Sequence, residues 1–192
     1  MIHRIVSAME SKGDRVFRNG RHDLNIVGIR SVAKPDRFDD CISVFSMHGG
    51  EWLFWSFPAT TDPGVAYLKN PINKSGTAIL APGQYRSAYR IGKHRGKYDA
   101  LIQSRPVTVF RDGNMDGHID PWRNAETGIY GINIHMSTAG EADFVGKHSA
   151  GCQVFKNGHD FEIFMAMARA GAAKFGNAFT YTLLEEVDLY DS

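Results

Sequence analysis

The chain has 192 residues, 22 Lys and Arg against 21 Asp and Glu, and a net charge of +1, so it suits one domain with a sizeable core and carries no basic stripe to neutralise a phosphate backbone. Nucleic acid is therefore not an expected partner, and two cysteines, Cys41 and Cys152, are too few for a disulfide framework or a structural zinc quartet. Apolar content of 43% is ordinary for a globular protein, while 20 glycines and 7 prolines point to many turns and hence to a strand-rich fold.

Residues 1–23 are polar and mixed in charge, with one short helix expected around Ile5 to Ser11. They hold no apolar run of signal-peptide length, and no later segment approaches a membrane-spanning run. The expectation is a chain made in the cytoplasm with no integral membrane segment. "LNIVGIRSV" (24–32) and "CISVFSMHGGEWLFWSFPA" (41–59) are rich in β-branched and aromatic residues, and the Gly pair in "MHGGEW" marks a hairpin turn. Trp52, Trp55 and Phe57 in this hairpin read as sheet-face residues.

"TTDPGVAYLKNPINKSGTAILAPGQYR" is punctuated by Pro63, Pro71 and Pro82 and reads as loops or edge segments. "DALIQSRPVTVFRDG" gives a strand pair interrupted at Pro106, and "GIYGINIHMS" a further strand. After the Asn157-Gly158 turn, Asp160 reads as the N-cap of the one main helix, "FEIFMAMARAGAAKF", and "AFTYTLLEEVDL" closes the chain as a strand. The expected class is α+β, predominantly β, with residues 1–23 as an N-terminal segment and 24–192 as the domain.

Chemistry concentrates in "GINIHMSTAGEADFVGKHSAGCQVF" (131–155). A cysteine reacts as the thiolate, so a nucleophilic Cys152 needs a basic neighbour, and His135, His148 and His159 are near in sequence. On a strand, His135 shares a face with Asn133 and opposes Ile132 and Ile134, which would hold the ring in place. His148 and His159 lie in segments that read as loop. Gly151 permits a close backbone approach that would put the amides of 151 and 152 near a developing oxyanion. The alternative is a buried core thiol beside a satisfied core histidine.

"YGINIH" followed by "SAGCQVF" resembles the active-site signature of the L,D-transpeptidase (YkuD-like) catalytic domain, in particular a phage-associated, peptidoglycan-acting branch. "ATTDPG", "GTAIL" and "PGQYR" resemble the same branch, so the likeness runs from about Leu24 onward. It implies the YkuD-like fold, with the main helix after a nucleophilic Cys152, and His135 as base. Ser149 and Gly151 fall on the motif positions beside the nucleophile, and the Ala150 carbonyl on the group that orients the base. It also implies attack on a peptidoglycan stem peptide through a thioester, resolved by an amine (transpeptidase) or by water (carboxypeptidase or endopeptidase). No cofactor is required, and the site of action would be the bacterial wall, reached by a phage route or another form of release.

The chain departs from the motif: Ala150 stands where many members have His, Val154 where many have Arg or Asn, and Met136 where a Gly often follows the histidine. Ala150, Gln153 and Tyr130 are the expected substrate contacts, with Arg86 from the basic run "QYRSAYRIGKHRG" (Arg86, Arg90, His94, Arg95) as a carboxylate partner. That run also reads as a solvated loop. Asp112, Asn114, Asp116 and Asp120 match the first half of a calcium loop, but Arg123 stands where a bidentate Glu is expected, and a polar turn is the preferred reading. A non-catalytic wall-binding module and a cysteine amidase or hydrolase of another substrate are the rival functions.

Overall fold

The computed structural model describes residues 1–32, 36–119, 125–137 and 144–190. It opens with helix α1 (Ile2–Ser11), whose buried face is Ile5, Val6, Ala8 and Met9. These side chains pack with Val27, Ile29, Phe45, Leu184 and Leu189. The polar N-terminal stretch is thus an amphipathic helix with its apolar stripe buried, and packing is continuous across residue 23.

Strand β1 (Asn25–Arg30) is followed by the hairpin β2 (Asp40–His48) and β3 (Glu51–Thr60). Gly49 and Gly50 make its two-residue turn at φ 60° and 87°, and His48 pairs with Glu51. Two consecutive positive φ angles are what a type I′ turn requires and what glycine adopts without a Cβ clash.

The segment expected as loops instead contains helix α2 (Val65–Lys69), strand β4 (Thr77–Leu80) and the start of the long strand β5 (Gly83–His94). Pro63, Pro71 and Pro82 each fall just outside an element, so they delimit structure there and do not exclude it. The basic run 84–96 is accordingly mostly strand, not loop.

Strands β6 (Tyr98–Gln103) and β7 (Val107–Asp112) flank Pro106 as expected, followed by β8 (Glu126–Gly128), β9 (Ile134–Met136) and β10 (Gln153–Phe155). Helix α3 (Gly158–Phe175), strand β11 (Phe179–Glu185) and a 3₁₀ turn (Glu186–Leu189) complete the chain. The N-cap of α3 is Asn157, not Asp160: the Asn157 side chain accepts from the Asp160 amide at 2.9 Å.

Eight strands close into a barrel in the order β1-β11-β5-β6-β9-β10-β3-β2, while β4, β7 and β8 form a separate sheet ordered β4-β7-β8. The fold is mixed, with far more strand than helix, and no helix among the described residues is long and apolar enough to cross a membrane. Strands β9 and β10 run parallel, pairing Ile134 with Gln153 and His135 with Val154. Helix α3 packs behind this pair, with the Phe164 and Phe161 rings 4.9 and 5.5 Å from that of Phe155. Phe155 is fully buried, a burial that stabilises by about 1.5–3 kcal/mol and anchors the strand that follows Cys152.

Of the expected strand "GIYGINIHMS", Gly128 ends β8 in the small sheet and only Ile134–Met136 joins the barrel. The reason is Gln103, whose Oε1 accepts from the Tyr130 and Ile132 amides at 3.0 and 3.1 Å, while Nε2 donates to the Gly128 carbonyl at 2.8 Å. One side chain replaces a strand partner and leaves residues 129–133 irregular but held.

Candidate active site

Cys152 and His135 line one cavity of about 540 Å³. One wall is the barrel end where β5, β6, β9 and β10 meet; the other is the small sheet, through Thr77 and Ala78 of β4, Gly76 just before it, and Arg111 of β7. Ile72, Ile129 and Tyr130 stand on its rim.

The half-buried Cys152 thiol donates to the Gly131 carbonyl and accepts from the Asn133 amide, both at 3.5 Å, the long distances usual for sulfur. Burial pushes its pKa above the ordinary thiol value, and the Asn133 N–H and the Arg95 guanidinium oppose that rise. His135 is 5% exposed. Burial foremost, then the neighbouring His94, lowers its pKa to about 4. The resting pair is therefore neutral thiol and neutral imidazole, not thiolate and imidazolium. In such a pair the histidine takes the proton only as sulfur attacks, which is general-base catalysis.

The tautomer of His135 follows from its partner. Its Nδ1 lies 2.8 Å from the Met136 carbonyl, which can only accept, so Nδ1 carries the proton and Nε2 the lone pair. Tyr98 Oη also donates to that carbonyl, at 3.4 Å. The orienting carbonyl expected of Ala150 is thus Met136's, and Ala150 instead lines the cavity. Asn133 and His135 share a face as their alternation requires: Asn133 Nδ2 is 3.0 Å from His94 Nδ1, and the His94 and His135 rings stack at 4.1 Å.

Ser149 and Gly151 shape the nucleophile's loop. Ser149 Oγ donates to the Cys152 carbonyl at 2.8 Å and accepts from the Gly151 amide at 3.1 Å, and the Ser149 residue is fully buried. Ser149 is therefore a clasp, and the Gly151 N–H expected at an oxyanion is already engaged. Among the described residues the Cys152 amide has no acceptor, which leaves it as the loop's unengaged donor. Gly151 sits at φ 116°, and a Cβ there would lie 2.1 Å from the Ala78 carbonyl oxygen.

Gln153, expected as a substrate contact, is fully buried and engaged by protein groups at both ends of its amide. Its Oε1 accepts from Tyr181 Oη at 2.7 Å, and its Nε2 donates to the Thr61 and Gly151 carbonyls at 3.3 Å. The Thr61 carbonyl also accepts from Arg30 Nη2 at 2.9 Å, and Arg30 pairs with Asp62 at 2.8 Å. A buried polar network thus braces the loop from behind.

Comparison of the chain with protein-family models, curated proteins and solved structures finds no match.

The basic run divides along β5. Arg86 lies over the Phe17 ring at 5.7 Å, beside a separate cavity of about 160 Å³, and takes no part in the site. His94 and Arg95, at the far end of the strand, line the Cys152 cavity, as do His148 and Arg111. Arg111 stands over the Tyr130 ring at 5.0 Å and donates to the Gly76 carbonyl at 3.1 Å. His159 is exposed in the first turn of α3, outside the cavity.

Asp112, Asn114 and Asp116 are not gathered around a point. Asp112 is buried at the end of β7, whereas Asn114 and Asp116 are exposed in a turn whose own N–H groups occupy their oxygens, His118 N–H to Asp116 at 2.7 Å among them. Asp120 lies outside the described residues. Among the described residues no three His, Cys, Asp or Glu side chains are grouped to hold a metal ion.

Sequence reasoning missed Tyr98, Gln103 and Arg111, each brought to the site by strand pairing over long chain separation. His94 had a faint signal: it is the one basic side chain of the run that can accept as well as donate.

Proposed function

We propose that this chain is a cysteine-dependent acyl-transfer enzyme of the L,D-transpeptidase (YkuD-like) type, acting on peptidoglycan stem peptides. What carries the reading is Cys152 and His135 lining one cavity, His135 from β9 and Cys152 from the position just before its parallel partner β10, with the Met136 carbonyl holding His135 Nδ1–H and leaving Nε2 its lone pair. The motif likeness of "YGINIH" and "SAGCQVF" supplies the substrate class.

In this mechanism Cys152 Sγ attacks the carbonyl carbon between an L-centre and a D-residue while His135 Nε2 takes the thiol proton. The C–S bond forms, the oxyanion faces the Cys152 amide, and the C–N bond breaks as His135 returns its proton to the departing amine. The resulting thioester is resolved by an amine, giving a cross-link, or by water, giving hydrolysis. Arg95, and Arg111 beside its Glu126 partner, give the cavity a cationic lining suited to a substrate carboxylate.

The test is incubation of wild type and Cys152→Ala with tetrapeptide and cross-linked muropeptides, with products read by mass spectrometry. Loss of D-alanine, cleavage or a new cross-link with wild type alone is the expected result. No turnover by wild type, with equal sacculus binding by both proteins, refutes the enzyme reading for these substrates.

A further inference from the structure

The cavity contains a second histidine that the mechanism above does not use. His94 is 7% exposed and stacks on His135 with centroids 4.1 Å apart and planes 25° from parallel. Its protonation pattern is fixed from two residues away. The Gln103 backbone N–H donates to Asn133 Oδ1 at 2.9 Å, which sets the amide orientation and turns Asn133 Nδ2 toward His94 Nδ1 at 3.0 Å. An NH₂ group can only donate there, so His94 Nδ1 holds the lone pair and Nε2 the proton. Protonating Nδ1 as well would set N–H against N–H, so the ring is held neutral. No described residue accepts from Nε2, and that atom is not sealed off in the interior.

The two stacked rings therefore carry their protons on opposite nitrogens, His135 on Nδ1 and His94 on Nε2. One offers the cavity a lone pair and the other an N–H. With the Gly151 amide engaged by Ser149, the loop itself supplies one N–H, that of Cys152, where acyl transfer gains from more than one donor at the developing oxyanion. We propose that His94 supplies the missing donor: its Nε2–H hydrogen-bonds the acyl oxygen during transfer, while its ring holds the plane of His135. The inference rests on the acyl-transfer reading but not on the identity of the substrate. The charged and titratable groups around the pair are Arg95 on the turn after β5, Tyr98 on β6, and His148 and Cys152 from the segment before β10.

Two measurements on the full chain test this. Long-range ¹H–¹⁵N imidazole spectra of the wild type should show His94 as the Nε2–H tautomer and His135 as the Nδ1–H tautomer, with Asn133→Asp moving His94 to the Nδ1–H or doubly protonated form. An Nδ1–H or charged His94 in the wild type at neutral pH overturns the proposal, and needs no folded His94 variant.

The second compares acylation of Cys152 by p-nitrophenyl acetate with its alkylation by iodoacetamide, which forms no oxyanion. His94→Phe, which keeps a stacking ring without the N–H, should slow acylation at least about ten-fold and leave alkylation within about two-fold. Equal losses in both, or none in either, overturn the donor role. Muropeptide turnover enters neither readout, so failure of the peptidoglycan assignment is separable from failure of this one.

Discussion

Replacing Gly151 with alanine tests the geometry of the nucleophile's loop most directly. The added Cβ would lie 2.1 Å from the Ala78 carbonyl oxygen, about 1.3 Å short of the 3.4 Å at which contact becomes ordinary, and backbone atoms of β4 cannot rotate away as a side chain would. The φ of 116° adds a second cost, since residues other than glycine in such regions are strained by about 1–3 kcal/mol. If the loop moves to relieve the clash, the Ser149 bonds to the Gly151 amide and Cys152 carbonyl stretch or break, each worth about 0.5–1.5 kcal/mol. Together these give a loss of about 2–6 kcal/mol, which for a chain of this size lowers Tm by roughly 4–24 °C. Sulfur displaced by about 1 Å loses on the order of 10²-fold in any reaction that needs its alignment with His135. Calorimetry and p-nitrophenyl acetate acylation read the two effects separately. A variant melting within a degree of wild type and acylating at the wild-type rate would refute the account of this loop.

The titrations of the site and its support give further expectations. His135, lowered to about 4 by burial and by His94, remains a free base through mildly acidic conditions, so the acid limb of acyl transfer should fall near pH 4, whereas a limb near 6.5 would contradict the neutral pair. With the Cys152 pKa raised by burial, iodoacetamide alkylation should still be climbing at pH 9.0, and a plateau near neutrality would mean an ion pair instead. Tyr181→Phe removes the donor to Gln153 Oε1 and leaves a buried acceptor unpaired, a loss of about 1–3 kcal/mol by urea unfolding; an unchanged midpoint would show that Gln153 finds another partner. Asp62, raised from 3.8 to about 6 by burial against the pull of Arg30, binds more protons folded than unfolded across that window. His135 and His94, both lowered by burial, act in the opposite sense over the same window, so the test is the difference from Asp62→Asn: relative to that variant the wild-type urea midpoint should fall as pH rises from 4 to 6, and a relative rise would reverse the sign assigned to Asp62.

The elements legible in the sequence were those specified locally. The Gly49-Gly50 turn states its own geometry, and the apolar spacing of residues 161–175 states a helix, although its cap moved three residues, to Asn157, because an Asn with a free Oδ1 competes for the Asp160 amide. The alternation Ile132–Asn133–Ile134–His135 placed Asn133 and His135 on one face, and the structure finds both against His94. The stretch around β4 and β5 was hidden by its prolines. Gln153 looked like a surface contact because nothing local reveals that Tyr181, from the far end of the chain, donates to it. The Met136 carbonyl is invisible for a related reason: which carbonyl meets a ring nitrogen depends on the ring's rotamer, not on its neighbours in sequence.

The irregularity of residues 129–133 has a chemical consequence. Had this stretch paired as a strand, the Gly131 carbonyl and the Asn133 amide would both have been taken up by a ladder. Because Gln103 satisfies the Tyr130 and Ile132 amides instead, the Gly131 carbonyl and Asn133 N–H are left to face sulfur from one short segment. The carbonyl accepts from the thiol and would repel the thiolate; the amide donates to either form and favours the thiolate. The same backbone thus stabilises the neutral resting state and prepares for the charge that forms on attack, with no movement between the two. Asn133 completes the arrangement in the other direction, since its carbonyl accepts from the Gln153 amide at 2.9 Å and ties the segment to the strand that begins just after Cys152. One glutamine side chain on β6 therefore decides whether the thiol meets a sheet edge or a site.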